Sequence, residues 1–484
     1  MKIFILNPPY VKDFCRSARW AAKSRGRVQR HPDYLLILAG LLLQRGHEVD
    51  FVDGPVLCLN REDIRKKIKA FMPEMVVIHT TTPSIYNDLE YAKDVKEISN
   101  NIITVAVGPH VSAVPENSFR ISETLFNNSL DAIAVGEYDF PISELADNPS
   151  NINNILGIAT IVEGKLNYKK APLCDINLLP EPAWQLINPN DYYDAGKRFP
   201  FLTLINARGC VGNCSFCCYH NVISPGKLRQ KNIDLVISEM EHDLVLFPQL
   251  KEIMFETDTF ATDSIYTENL CKAIIKSGIH KKISWSCNLR VDTKLELLPL
   301  MKEAGCRMLM TGFEFGTQEA LNSVRKGTTL KQAKEYAETA NKLGFILHGC
   351  FMIGAPNETV KSAKETIKFA KSLPCDTVQF SGLCPYPGTP LFDWAAKNNY
   401  LIAKDWTEWL NKDFEQCTLL NYPQFSSKAI DYYIDKGLKS FYLRPQQILR
   451  MLLNIRSFSD IQRKLFGFKS FLDYFKGKKN VGEY

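Results

Sequence analysis

The stretch Arg208-Gly-Cys-Val-Gly-Asn-Cys-Ser-Phe-Cys-Cys-Tyr-His220 places three thiols, those of Cys210, Cys214 and Cys217, within eight residues of a glycine-bearing loop. Soft thiolates at such spacing can each reach a different iron of one iron–sulfur cube. A zinc ion is the competing interpretation, because the adjacent Cys218 or His220 could supply a fourth ligand. Consecutive residues rarely point at one metal, however, and structural zinc needs four ligands. The spacing therefore favours a cluster over zinc or chance.

The chain around this loop alternates short strand-like runs with helical patterns. Six β/α units in series predict a partial barrel, whose reactive groups belong at the carboxyl ends of its strands. The thiols directly follow the first of these strands. The strand candidates are 202–207, 252–256, 283–288, 308–314, 347–353 and 377–383.

The amino-terminal part has its own alternation, which predicts a doubly wound parallel sheet of Rossmann-like or flavodoxin-like type. Ligands of such sheets sit at the carboxyl ends of the strands, where loop-forming residues stand here. We therefore predict four regions: a doubly wound domain at 1–150, a proline-rich linker at 151–199, the barrel at 200–395 and a helical carboxyl-terminal region at 396–484. The amino-terminal strand candidates are 3–6, 48–52, 75–79, 102–107 and 132–135.

Composition is that of a soluble globular protein, with 45% hydrophobic and 23% charged residues. The start of the chain lacks the apolar core of a signal peptide, and the fourteen cysteines are scattered, so we predict a cytoplasmic protein with reduced thiols. The net charge of +6 is concentrated at 435–484, which has eleven Lys or Arg against four Asp or Glu. This basic tail is either a solvated face or a peripheral membrane contact. No nucleic-acid partner is expected.

The cysteine motif resembles the signature of the radical S-adenosylmethionine (radical SAM) superfamily, three cysteines spaced three and two apart. The resemblance implies a [4Fe-4S] cluster whose fourth iron is chelated by S-adenosylmethionine. One electron, from a donor such as flavodoxin or ferredoxin, then cleaves S-adenosylmethionine and yields a radical that abstracts hydrogen from unactivated carbon.

Further positions match the superfamily in order and imply contacts with S-adenosylmethionine. Glu256, in Phe255-Glu-Thr-Asp, stands where the family has Gly-Gly-Glu, although the glycines are missing here. The implied set is Phe216, Glu256, Arg290, Glu314 and Gly354.

The doubly wound domain before the barrel resembles the cobalamin-binding branch of this superfamily. Gly108-Pro-His, Val135-Gly-Glu and Leu179-Pro-Glu-Pro-Ala-Trp look like recurring phrases of that branch. The sequence lacks Asp-x-His-x-x-Gly, so bound cobalamin would have no histidine on its lower face. The implied cobalamin contacts are Thr80, Gly108, Gly136 and Glu137.

This resemblance implies methyl transfer to an unactivated carbon of a small molecule, either a lipid or a specialised metabolite. The alternative within enzymes is a cobalamin-assisted radical cyclase or rearrangement enzyme without net methylation. A non-catalytic sensor that binds cobalamin and a cluster is a third reading, which does not account for the ordered carboxylates at the strand ends.

Overall fold

The computed structural model describes residues 1–16, 20–24, 26–453, 461, 464–465 and 467–469, so much of the predicted basic tail lies outside the described residues. Within these ranges, no helix combines the length and the apolar character that crossing a bilayer requires. Strands of the two main sheets are numbered below in chain order.

The amino-terminal sheet has five parallel strands in the spatial order β2-β1-β3-β4-β5. This is the flavodoxin-like order, with its topological switch point between β1 and β3. The middle strands are apolar runs because helices cover both faces of the sheet. The predicted doubly wound fold is thereby confirmed. The strands are β1 Lys2–Asn7, β2 Glu48–Asp53, β3 Met75–His79, β4 Ile103–Val107 and β5 Ala132–Ala134.

An antiparallel hairpin extends this sheet beyond β5. Its strands are β6 Ile158–Val162 and β7 Lys165–Tyr168, and β6 pairs with β5. The sheet thus continues into the range 151–199, which the sequence predicts as a linker. The difference arises because the hairpin lies at the sheet edge, where half-exposed strands carry a weak apolar pattern.

The second sheet is the partial barrel, six parallel strands in consecutive order. All six strand candidates fall on these strands, and the fold class is as predicted. The helix Leu330–Lys342 begins with a capping box between Thr329 and Gln332, which satisfies its first amide groups. The strands are β8 Phe201–Leu204, β9 Glu252–Phe255, β10 Ser284–Leu289, β11 Cys306–Glu314, β12 Ile346–Ile353 and β13 Thr377–Gly382.

Helices cover both sheets, and short turns and ribbons connect them. The helices are Asp33–Gln44, Gly54–Leu57, Arg61–Phe71, Ile85–Ile98, Pro109–Ala113, Pro115–Phe126, Asp139–Asp147, Ile233–Leu246, Ser264–Ser277, Leu297–Glu303, Gln318–Ser323, Leu330–Lys342, Val360–Ser372, Pro390–Lys397, Ser427–Tyr442 and Pro445–Leu453. Single helical turns include Thr82–Ser84, Tyr219–Ile223 and Trp406–Trp409, and two small ribbons pair Phe14–Arg16 with Ala21–Lys23 and Ala207–Arg208 with Arg229–Gln230.

One continuous apolar core joins the two sheets. It runs from Ile3 in β1 through Trp184 of the linker to Trp285 in β10. Trp184 is 1% exposed, and it belongs to the phrase Leu179-Pro-Glu-Pro-Ala-Trp. The linker is therefore part of the core that holds the two domains together.

Within the described part of the carboxyl-terminal region, the stretch 398–426 is less helical than predicted. Ser427–Tyr442 and Pro445–Leu453 are helices, but 398–426 is largely irregular. The preceding helix ends at Lys397, and Asn399 adopts a positive φ of 58°, a conformation that asparagine tolerates well and that stops a helix. Trp409 then packs in a small separate cluster instead of on a helix face.

Candidate functional site

The loop that carries the three thiols is held at its ends and in its middle. Ala207–Arg208, just beyond β8, pairs with Arg229–Gln230 and closes the loop. In the middle, Ser215 N donates to Val324 O at 3.0 Å, and Leu391 N donates to Ser215 O at 3.0 Å. These bonds fix the loop backbone at the carboxyl end of the barrel strands.

Two of the thiols flank Gly212. A β-carbon on Gly212 would lie 3.3 Å from Cys210 Sγ, 3.9 Å from Cys214 Sγ and 3.1 Å from Arg290 Nη1. Cys214 is buried, whereas Cys210 and Cys217 are partly exposed. Burial raises the pKa of the Cys214 thiol, and nearby cations oppose the rise. Lys326 and Arg290 are these cations, and their charges favour the thiolate form of Cys214.

Lys326 is a residue of this site that the sequence did not indicate. Its Nζ lies 2.7 Å from Glu314 Oε1, and the two side chains are 8% and 11% exposed. Arg290 Nη2 donates to Lys326 O at 2.9 Å and also contacts Asp292. Burial lowers the pKa of Lys326, but the charges of Glu314 and Cys214 outweigh it and raise that pKa. Two predicted residues, Arg290 and Glu314, thus meet beside the thiols around one lysine.

Glu256 lies at the end of β9 and pairs with a residue of the amino-terminal domain. Arg30 Nη1 is 3.2 Å from Glu256 Oε2, and Arg30 Nη2 is 3.3 Å from Asp194 Oδ2. Arg30 is 13% exposed, so this guanidinium is largely withdrawn from solvent. The sequence did not predict Arg30 as a neighbour of Glu256. An ammonium group that reached Glu256 would share the carboxylate with Arg30.

Phe216 and Gly354 have mainly structural contacts. Phe216 is partly buried against the main apolar core. Gly354 has a φ of +105°, which favours glycine, and its N donates to Glu358 Oε2 at 2.5 Å. The hydroxyl of Tyr422 donates to Gly354 O at 2.8 Å. Both backbone groups of Gly354 are thus bonded within the protein, and contact of either residue with S-adenosylmethionine stays a prediction.

The donor chemistry of the thiol loop suits an iron–sulfur cluster. A cube takes each thiolate on a different iron, so Cys210, Cys214 and Cys217 would each hold one iron, with Arg290 and Lys326 as neighbouring cations. Among the residues that the structure describes, no three His, Cys, Asp or Glu side chains form a group that could hold a metal ion. Ligation by the three cysteines stays a prediction.

The carboxyl ends of strands β1 to β5 form one edge of the amino-terminal sheet, which we call the crest. The crest has a buried polar network at the switch point. Asn7 Nδ2 donates to Asp53 Oδ1 at 2.8 Å, and the hydroxyl of Tyr192 donates to Asp53 Oδ2 at 2.9 Å. The ring of His79 places Nδ1 3.2 Å from Asn7 Oδ1. Burial raises the pKa of Asp53 to about 6, against these hydrogen bonds. The ends of β1, β2 and β3 are thereby fixed to one another.

Thr80 and Gly108 brace the neighbouring strand ends. Thr80 N and Oγ1 both donate to Val107 O, at 2.8 and 2.9 Å. Gly108 has a φ of +116°, and a β-carbon on it would lie 2.4 Å from Thr80 O. Gly136, at the end of β5, faces the thiol loop, since a β-carbon there would lie 3.4 Å from Ile223 O.

Glu137 makes contacts other than the predicted one with cobalamin. Its carboxylate accepts hydrogen bonds from Arg229 at 2.5 and 2.8 Å, from Ser224 Oγ at 2.6 Å and from Cys174 N at 3.1 Å. Burial opposes its ionisation, but Arg229 and the other donors lower the pKa of Glu137 to about 2. A carboxylate at this depth needs a cation, and the barrel domain supplies it. Glu137 therefore joins the two domains.

His110, next to Gly108 and Pro109, is the clearest unsatisfied group at the crest. It is fully buried, with Nδ1 3.2 Å from Thr82 Oγ1 and the ring edge-on to Trp406 at 4.8 Å. Its Nε2 has no hydrogen-bond partner. A buried orphan nitrogen beside the switch point of a flavodoxin-like sheet suits a cofactor seat.

Burial also makes the protein acid-labile at His110. Burial lowers the pKa of His110 from 6.5 to about 3, so the unfolded chain binds a proton between these values and the folded chain does not. The contribution of buried, neutral His110 to stability is therefore complete above pH 6.5 and is lost as the pH drops toward 3. We expect the melting temperature of His110→Gln to fall less between pH 7 and pH 5 than that of the parent protein. This interval covers roughly the upper half of the window in which only the unfolded chain is protonated. A slope equal to that of the parent protein would contradict this account of His110.

Family models match the two halves of the chain separately. The model described as the radical SAM superfamily matches residues 205–370, and the model described as the B12 binding domain matches residues 27–127. The first match spans the three thiols, Glu256, Arg290 and Glu314. The second spans Thr80 and Gly108.

Relatives and solved structures agree with these matches. An uncharacterized methyltransferase, PH0819, from Pyrococcus horikoshii is 32% identical over 95% of this chain and 96% of its own length. The anaerobic magnesium-protoporphyrin IX monomethyl ester cyclase of Rubrivivax gelatinosus is 27% identical over 75% of this chain and 65% of its own length. The structure of the radical S-adenosylmethionine methyltransferase TsrM from Kitasatospora setae, with cobalamin and a [4Fe-4S] cluster bound, has a TM-score of 0.70 at 14% identity. It covers 98% of this chain and 99% of that one, and this likeness shows the fold.

Proposed function

The chain belongs to the radical SAM superfamily, in the branch with an amino-terminal B12-binding domain, and from this premise we propose that it methylates an unactivated carbon. Its cofactors are a [4Fe-4S] cluster, S-adenosylmethionine and cobalamin. When bound, the cluster supplies the electron that cleaves S-adenosylmethionine, and cobalamin supplies the methyl group.

The observation that carries this proposal is the closeness of the thiol loop to the crest of the amino-terminal sheet. The turn Tyr219–Ile223, which ends the cysteine motif, packs on Pro109–Ala113. The Ile223 carbonyl also faces Gly136 at the end of β5. Groups held on these two elements share one space, and reactants must be held together before a short-lived species is quenched.

The residues of the chain have distinct tasks in this proposal. Cys210, Cys214 and Cys217 hold the cluster, and Arg290 and Lys326 place positive charge beside it. Glu314 and Glu256 offer carboxylates to the ammonium and hydroxyl groups of S-adenosylmethionine. The apolar core beneath them keeps bulk water away from the reacting groups.

A radical cyclase without net methylation is the second candidate, and the likeness to the Rubrivivax gelatinosus cyclase favours it. That protein extends well beyond the matched region, since the chain covers 65% of its length. The methyltransferase PH0819 matches over its whole length, so methylation is our first proposal.

Labelled S-adenosylmethionine separates the two candidates. With the reconstituted, reduced holoenzyme and a deuterated methyl group, we expect S-adenosylhomocysteine and recovery of the label in the cobalamin fraction. Mass spectrometry detects both, and a cell extract added as substrate source should yield a small molecule that carries the label. Release of 5′-deoxyadenosine without S-adenosylhomocysteine would favour the cyclase.

Partners and location follow from the same chemistry. We propose flavodoxin or ferredoxin as the electron donor and a lipid or specialised metabolite as the substrate. The fourteen cysteines are all free thiols, which agrees with a reducing compartment such as the cytoplasm.

We further propose that the helix Pro445–Leu453 contacts an anionic membrane surface. Its inner side is docked, because Arg450 Nε donates to Asp376 Oδ1 at 2.9 Å. Its outer side exposes leucines, with Leu449 57% and Leu453 73% exposed. Apolar side chains on a helix within a basic segment suit the interface of an anionic bilayer.

Vesicle flotation tests this contact. We expect the protein to float with phosphatidylglycerol vesicles and not with phosphatidylcholine vesicles, and Leu449→Glu/Leu453→Glu to reduce flotation about tenfold. Leu125→Glu, at another exposed leucine, is the control and should float normally. Equal flotation of the double variant would refute the proposal.

A further inference from the structure

The thiol loop is tied to the amino-terminal domain at the point where it begins. Arg208 stands two residues before Cys210, and its guanidinium donates to both oxygens of Asp139 at 2.5 and 3.1 Å. Both side chains are 1% exposed. The ring of Tyr34, on the helix Asp33–Gln44, lies 4.6 Å from the guanidinium carbon. These contacts fix both the direction of the Arg208 guanidinium group and the orientation of its plane.

A second tie lies where the loop ends. Arg229 donates to both oxygens of Glu137, at 2.5 and 2.8 Å, and to Ser224 Oγ at 2.7 Å. It also donates to Cys174 O at 2.7 Å. This pair is less deeply buried than the first, since the Arg229 side chain is 19% exposed.

The two ion pairs connect the same two elements of the protein, the segment after β5 and the short ribbon at the base of the thiol loop. Both carboxylates, Glu137 and Asp139, lie shortly after β5, one and three residues beyond Gly136. Both arginines, Arg208 and Arg229, lie on the paired strands that open and close the loop, and their residues face each other in the ribbon. A rigid ribbon is therefore bonded, through two bidentate contacts, to a three-residue stretch of the cofactor-binding crest.

Stability alone does not explain this choice of residues. The attraction within a buried ion pair only about offsets the free energy lost on desolvation of the two charges. Apolar residues of the same volume often stabilise a protein equally well. Bidentate arginine–carboxylate pairs instead fix orientation, because the planar fork matches the carboxylate in one geometry. Two such pairs at the ends of one loop define its distance and angle to the crest.

We propose that Arg208, Asp139, Arg229 and Glu137 are positioning residues that set the distance between the cluster and cobalamin. The inference rests on the proposed function, which places these cofactors on the loop and the crest. Transfer between two sites depends steeply on their separation, and a displacement of about 1 Å can cost about a hundredfold in rate. Cleavage of S-adenosylmethionine needs only the cluster side, so it should be far less sensitive.

The test uses Arg208→Lys, which keeps the charge and loses the fork, and Glu137→Gln, which keeps the shape and loses the charge. Arg61→Lys is the matched control, since Arg61 makes a bidentate pair with Asp94 wholly within the amino-terminal domain. In the full-length holoenzymes, iron and cobalamin content are measured first. Electron paramagnetic resonance then reports the spin–spin coupling between the reduced cluster and cob(II)alamin, a measure of their separation.

We expect both variants to retain iron and cobalamin, with a weaker or broader coupling than in the parent and in Arg61→Lys. The rate of S-adenosylhomocysteine formation should fall about ten- to hundredfold, while release of 5′-deoxyadenosine changes less than about threefold. Unchanged coupling, or loss of a cofactor from both variants, would show that the pairs only hold the fold. Absence of S-adenosylhomocysteine from the parent enzyme would instead contradict the proposed function, and the coupling would still test the positions.

Discussion

Cys214→Ala should leave the purified protein almost free of iron and unable to cleave S-adenosylmethionine. Cys214 is the buried member of the three thiols and faces Arg290 across Gly212. Removal of groups around a metal ligand already costs ten- to hundredfold in metal affinity, so loss of the ligand should cost more than about a hundredfold. Iron content after anaerobic reconstitution and the yield of 5′-deoxyadenosine measure the effect.

The neighbouring Cys218 supplies the control. It is buried and directly precedes the turn Tyr219–Ile223. Consecutive residues rarely point at one metal, and the assigned ligand is Cys217, so Cys218→Ala should keep both iron and cleavage. Iron retention by Cys214→Ala, or its loss from Cys218→Ala, would contradict the assignment of the ligands.

Lys326→Met should produce the second large effect, a loss of stability together with weaker binding of S-adenosylmethionine. The substitution leaves the buried Glu314 carboxylate without the ammonium 2.7 Å away. Breaking one partner out of a buried pair costs about 3–5 kcal/mol. Urea unfolding of the metal-free protein measures the change in the free energy of unfolding.

The double variant Glu314→Gln/Lys326→Met distinguishes a pair from two independent residues. The double variant has no buried carboxylate without a partner. Its free energy of unfolding should therefore be higher than that of Lys326→Met alone, by about 1–3 kcal/mol. If the effects of the two substitutions on the free energy of unfolding are additive, Lys326 and Glu314 do not stabilise each other, and their contact has no energetic role.

Most of the fold was predictable because its strands are buried on both faces. Runs such as Ile3 to Leu6 and Val76 to Ile78 have no solvent side, so each is a short apolar stretch between loop residues. The hairpin of β6 and β7 was missed for the opposite reason. It sits at an edge, and its exposed residues, such as Val162 and Lys165, resemble a linker.

The site was only partly predictable, because sequence spacing finds groups that lie together in the chain. The three thiols are close in sequence and were found. Lys326 and Arg30 reach the site from distant segments, and nothing distinguishes them among 59 Lys and Arg. The contact of Glu137 with cobalamin stays a prediction. Its contact with Arg229 could not be predicted, because only the folded chain brings together these two residues, which lie 92 apart.

The apolar core that includes Trp184 limits where the chain can be divided into fragments that fold separately. A break near residue 150 would separate the amino-terminal part of that core from the rest and expose apolar surface on both fragments, so we expect both fragments to aggregate. Gly40, on the helix beside Trp184, meets the linker so closely that a β-carbon there would lie 2.5 Å from Glu181 O. Chimaeras that exchange the cofactor-binding domains of two relatives must therefore transfer the linker together with the helix Asp33–Gln44 on which it packs.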